Sequence, residues 1–166
     1  MLNSSFNAKT LTRSGIIAAV YVALTLALYP LSFGAVQVRI SEGLTLLPLV
    51  FPESVLGLTV GCLIANLFGN GVLDIVFGTL ATFSSAVLTR VVAKNIKKDY
   101  IKILVGGIFP VFINALVIPF TFLAITESTT VYFITAGQIF IGQALAVYLV
   151  GTPLYFVIKK GRLKRP

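Results

Sequence analysis

The sequence predicts an all-α integral membrane protein with six transmembrane helices and both termini in the cytoplasm. Three observations carry this expectation. Hydrophobic residues are 57% of the 166 and charged residues only 11%, against about 45–50% and about 25% in a soluble domain. Uncharged runs recur along the chain, at 14–38, 43–52, 54–73, 75–89, 103–126 and 128–158, and 14–38, 103–126 and 128–158 each hold a span of about 20 apolar residues. The Lys and Arg residues that give a net charge of +8 gather in three clusters beside these runs, as they do at the cytoplasmic ends of membrane proteins. Mean hydropathy is +1.00. The whole chain, 1–166, reads as one transmembrane domain.

The elements follow in order. The run 14–38 exceeds the roughly 7–15 apolar residues of a signal-peptide core, so it is expected to be retained, with a first span over 14–31. Residues 43–52 are uncharged but would make only about 15 Å of α-helix. The second span, 41–52, is therefore either short and partly buried or re-entrant. Irregular backbone at that depth needs protein or water around it. The third span, 53–69, opens with Pro52 suited to the first helical position and Glu53 to the positive helix end. Phe68-Gly69-Asn70-Gly71 predicts a tight connection near 69–72. The remaining spans are expected over 72–91, 102–125 and 130–158.

Orientation follows from the cations. Lys9 and Arg13 form one cluster. Arg90, Lys94, Lys97, Lys98 and Lys102 form the second, and Lys159, Lys160, Arg162, Lys164 and Arg165 the third. All three lie on the same side only if the chain crosses an even number of times between them. That favours counting 41–52 as a span. Arg39, Glu42, Asn70, Asp74 and Glu127 then fall toward the outer face.

Several functions are excluded. With no His and the single Cys62, a metal site and an intramolecular disulfide are not expected. There is no phosphate-binding Gly-Lys-Ser/Thr loop, so the chain cannot drive its own ATP hydrolysis. No nucleophile–base pair or carboxylate pair points to an enzyme. No internal repeat suggests a stand-alone inverted-repeat transporter. The basic charge follows apolar runs and is not a nucleic-acid signature. No cofactor is expected.

Candidate site residues are the polar groups within or beside spans, where ionisable side chains are costly and mark solute sites. Arg39 and Glu42 stand three apart and either pair with each other or face a cavity. Asn66 and Asn114 either bond a neighbouring helix or reach a solute. Asp74 either caps the fourth helix or does the same. Gln138 and Gln143 point about 140° apart, so at most one faces a given pocket. On the first helix Gly15, Ala19, Ala23 and Ala27 recur every four residues, a stripe that lets another helix approach closely or serves ordinary internal packing.

Longer motifs carry a resemblance. Val36-Gln-Val-Arg-Ile-Ser-Glu-Gly-Leu-Thr-Leu-Leu-Pro48, Phe51-Pro-Glu53, Gly61-Cys-Leu-Ile-Ala-Asn-Leu-Phe-Gly69 and Leu73-Asp-Ile-Val-Phe-Gly-Thr-Leu-Ala81 are similar to the QueT family. Pro110-Val-Phe-Ile-Asn-Ala115 and Gly142-Gln-Ala-Leu-Ala-Val-Tyr-Leu-Val-Gly-Thr-Pro153 extend the match over nearly the whole chain. These proteins are substrate-binding S components of energy-coupling factor (ECF) transporters, a class of ABC importers in the bacterial plasma membrane. The resemblance implies an S-component-like fold of six helices and capture of a queuosine precursor, a 7-deazaguanine-type base, at the outer face. It implies partners: a transmembrane T component and two cytoplasmic ATPases, which hydrolyse the ATP. Docking to the T component maps onto Ala19, Ala23 and Ala27. Solute contacts map onto Arg39, Glu42, Asn66, Asp74, Asn114 and Gln143.

The chain departs from the family at Gln143, where Glu is frequent. A Gln cannot offer two acceptors to a guanine-like edge. That role then passes to Glu42 or Asp74, or the ligand differs. An S component for another vitamin or nucleobase, and a non-transporting membrane assembly subunit, are the alternatives. Polar residues converging on one cavity favour a solute binder. Scattered or mutually paired ones favour the assembly subunit.

Overall fold

The computed structural model describes residues 7–34, 38–69 and 71–163. The middle of the outer loop, Asn70 in the connection, and Lys164 and Arg165 of the third basic cluster lie outside the described residues.

The regular elements of the described residues are all helical, without strands. Helix α1 (Ala8–Ala27) starts on a capping box in which Asn7 accepts from Thr10 N and Thr10 accepts from Asn7 N. Its buried face is Ser14, Ala18, Tyr21 and Thr25, spaced four, three and four as one face of an α-helix requires. That face lies on α3 (Ser54–Leu67). Gly57 and Gly61 sit at the crossing, where an added Cβ would meet Ser14 O at 2.6 Å and the Tyr21 Cβ at 2.9 Å. In lipid such small residues are how helices reach close contact. A short helix, α2 (Tyr29–Ser32), follows α1 and carries Pro30 in its first turn.

The segment expected over 41–52 is a 3-10 helix, Ile40–Leu49, with Ser41 through Pro48 buried. At about 2.0 Å per residue, its ten residues reach further than an α-helix of that length. It is enclosed by α1, by the later helices Thr79–Ala93 and Asp99–Thr126 and by the stretch Leu145–Gly151, the protein surroundings that irregular backbone at membrane depth needs. Its backbone touches that stretch directly: a Cβ on Gly151 would meet Gly43 O at 2.6 Å. Helix α3 begins at Ser54 rather than at Pro52. Glu53 stands at its N-cap without a side-chain cap bond and pairs instead with Arg13 at 2.9 Å.

Gly71, with φ of 113°, turns the chain after α3 in a conformation glycine adopts without Cβ strain. A π-helical turn, Asp74–Gly78, leads into α4 (Thr79–Ala93). Helix α5 (Asp99–Thr126) carries Pro110 and Pro119 inside it. Pro110 lacks the N–H that would bond Gly106 O, and Thr89 Oγ1 of α4 donates to that carbonyl at 2.7 Å. The last expected span is helix α6 (Thr129–Ala144), a π-helical stretch Leu145–Gly151 and α7 (Thr152–Leu163) in succession.

Four stretches are long and apolar enough to cross a membrane: Ala8–Ala27, Asp74–Ala93, Asp99–Thr121 and Thr129–Gly161. Ile40–Leu49 and Ser54–Leu67 are apolar but shorter.

Candidate functional site

All six candidate polar residues are buried, at 6% exposure or less. They come from five elements and gather in two adjoining groups.

The first centres on Glu42, in the 3-10 helix. Tyr21 Oη of α1 donates to its Oε1 in a short bond. Asn114 Nδ2 of α5 reaches Oε2 at 3.5 Å, and the Gln143 side chain of α6 stands beside the carboxylate. Behind it, Thr25 and Ser41 bond through their hydroxyls at 2.7 Å, and Thr45 Oγ1 donates to Glu42 O at 2.5 Å.

The second group joins Arg39 to Asp74, with Arg39 Nη2 and Asp74 Oδ2 at 3.9 Å. Arg39 Nε donates to Ser32 O at 3.3 Å, and the guanidinium lies 4.8 Å from the centre of the Phe33 ring, a cation–π arrangement. Thr121 lies beside Asp74 but donates to Ile118 O at 2.7 Å. Asn66 Nδ2 donates to Asp74 O at 2.9 Å, which fixes its amide orientation and leaves Oδ1 free. Cys62 accepts from Thr82 and Asn66 at 3.2 and 3.4 Å.

Two readings of single residues are corrected. Arg39 and Glu42 do not pair with each other; each has partners on other elements. Asp74 does not cap a helix: it sits inside the π-helical turn with its side chain buried against Arg39. Tyr21 is a member of the group that the sequence reading missed. Its signal was present in the Ser14, Ala18, Tyr21, Thr25 spacing, the face of α1 opposite the alanine stripe. Ala19, Ala23 and Ala27 are exposed, as is Gly15, so the stripe is not internal packing. Gln138 is half-buried and Gln143 buried.

The site has a definite hydrogen-bonding character. Among the described residues, Asn66 Oδ1, both Asp74 carboxylate oxygens, Gln143 Oε1, Arg39 Nη2 and the hydroxyls of Ser32 and Thr79 are buried without a hydrogen-bond partner, Arg39 Nη2 and Asp74 Oδ2 facing each other only at ion-pair distance. Buried polar atoms are ordinarily bonded, so these groups are hydrogen-bonding capacity left unused inside the bundle. The formal charges of Arg39, Glu42 and Asp74 sum to one negative.

The sequence model described as QueT transporter matches residues 11–160. The chain belongs to the QueT transporter family. A similar curated protein is the "Queuosine precursor transporter QueT" of Lactococcus lactis subsp. cremoris (strain MG1363), 32% identical over 87 residues. That alignment covers 51% of this chain and 52% of the relative, so the chain spans about half the length of the curated relative it matches. No solved structure matches the chain. The family is one of transporters, not enzymes. With the four long apolar helices, this QueT family member is a multi-pass protein of the bacterial plasma membrane.

The Arg39–Asp74 pair makes a first testable point. Breaking a buried pair by removing one partner costs about 3–5 kcal/mol, while replacing both by apolar groups is often neutral. Asp74→Ala is therefore expected to lower the melting temperature in detergent clearly. The double variant Arg39→Met with Asp74→Leu is expected to recover most of that loss. Equal melting of single and double variants would show that the two charges are held independently.

Proposed function

We propose that the protein is the substrate-binding S component of an ECF-type importer. It captures a 7-deazaguanine-type queuosine precursor at its outer face and delivers it inward with a T component and two ATPases. In this reading 41–52 counts as a span, six helices cross the membrane, and both termini are cytoplasmic. This topology puts the three basic clusters on one side, the distribution of Lys and Arg that membrane proteins favour.

The observation that carries the proposal is the acceptor-rich set of buried groups around Glu42 and Asp74. A 7-deazaguanine base offers adjacent N–H donors beside one carbonyl. Among the described residues, the buried oxygens of Asn66, Asp74 and Gln143 without a hydrogen-bond partner, beside the Arg39 guanidinium, fit that pattern, and a carboxylate accepts two parallel N–H bonds well. Phe33, held under Arg39, supplies an aromatic face near the polar groups. Docking to the T component falls to the exposed Ala19, Ala23 and Ala27. Gln143 favours a second reading, an S component for a related nucleobase, because it brings one acceptor where two are frequent in the family.

The test is mass spectrometry of small molecules co-purified with the detergent-solubilised protein, followed by titration with 7-deazaguanine bases. Recovery of such a base with tight, saturable binding is expected. A different heterocycle would transfer the specificity change to Gln143. No recovered solute and no response to the base series would turn the reading to a membrane assembly subunit.

A further inference from the structure

A second polar feature lies at the opposite end of the bundle, away from the solute site. A cavity of about 380 Å³ opens there between the segment that leads into α5, the middle of α7 and the end of the 3-10 helix. Leu49, Val50 and Tyr155 line it beside Lys97, Lys102, Lys159 and Asp99. The acidic group is already engaged: Asp99 Oδ1 accepts from Tyr155 Oη at 3.0 Å and Oδ2 accepts from Lys159. The lining thus carries three ammonium groups against one carboxylate, a formal excess of two positive charges.

We propose that this cavity binds a phosphate-bearing anion. The Asp99–Tyr155–Lys159 network anchors one cation on the wall, and Lys97 and Lys102 close over the anion from the α5 side. Leu49 and Val50 give the cavity an apolar wall continuous with the buried core around Val147 and Tyr155. That combination suits the headgroup of an anionic phospholipid, with its glycerol and first methylenes against the apolar side. A basic pocket between helices on the cytoplasmic side is the usual setting for such a headgroup. Free phosphate shares the charge chemistry but not the apolar contact. The inference is independent of which solute the outer site takes.

The experiment uses the purified full chain in detergent and native mass spectrometry during titration with phosphatidylglycerol or phosphatidylcholine. One phosphatidylglycerol is expected to be retained about tenfold more tightly than phosphatidylcholine. The pair Lys97→Gln and Lys102→Gln is expected to remove that preference, and Lys102→Arg to keep it. The pair Lys9→Gln and Lys160→Gln removes the same charge at residues that do not line the cavity and is expected to leave the preference within about twofold. Displacement of the lipid by millimolar inorganic phosphate would assign the site to soluble phosphate. Absence of any preference for phosphatidylglycerol or phosphate, or equal loss in both lysine pairs, would overturn the proposal. Melting curves of the same samples report whether each variant is folded.

Discussion

Glu42→Gln is expected to leave the helices folded and to weaken solute binding by about a hundredfold, the scale of one or two lost bonds to a charged group. The carboxylate is 1% exposed and accepts from two elements at once, Tyr21 of α1 and Asn114 of α5. A Gln has the same size but replaces one acceptor oxygen with an NH2 group. That group then faces either the Tyr21 hydroxyl or the Asn114 amide, and one donor loses its acceptor. Glu42→Ala is a harsher change. It leaves both donors buried and unpaired, each costing about 1–3 kcal/mol, and its effect on melting is expected to exceed its interpretability as a binding variant. Tyr21→Phe removes a single hydroxyl from the same bond and is expected to cost about tenfold in affinity. Titration of the three variants beside their melting curves separates the roles. If Glu42→Gln binds as the unaltered protein does, the carboxylate only ties α1 to α5 and takes no part in recognition.

How much of this site could be read from residues alone depends on what each residue's burial costs. Arg39, Glu42, Asn66, Asp74, Asn114 and Gln143 stood out because polar groups among apolar spans must face inward or toward a cavity. That constraint is nonlocal in effect but visible in one dimension. Partner choice was not visible. Spacing of three suggested an Arg39–Glu42 pair, yet the 3-10 helix begins at Ile40 and Arg39 precedes it in extended conformation, φ −88° and ψ 100°. The side chain therefore leaves the helix surface and reaches Asp74. The capping reading of Asp74 failed for a similar reason: the π-helical turn around it answers to packing against α3, α4 and α5, for which no local code exists. Tyr21 went unnoticed because aromatic residues are abundant here, 13 Phe and 6 Tyr, and abundance hides the one that makes a polar contact.

Replacing Ala19 and Ala23 together by Leu is expected to reduce uptake in reconstituted vesicles by at least about tenfold, with solute affinity within about twofold of the unaltered protein, because small residues four apart set how closely a partner helix can approach. The two alanines are exposed on α1, and each four-residue step drifts by only about 40°, so they share a face. Tyr21 lies between them in sequence but is fully buried on the other side of the same helix. One helix thus presents its polar contact to the solute site and its small residues outward. Leucine at both outward positions adds bulk where a partner would seat, without touching the Tyr21–Glu42 bond. Val91→Leu, at an exposed position of α4, controls for added bulk at a surface away from the stripe. Unimpaired uptake by the Ala19, Ala23 variant would place docking on another face and leave the stripe facing lipid. Parallel loss of uptake and solute binding would instead mean that α1 shifts as a body, carrying Tyr21 away from Glu42.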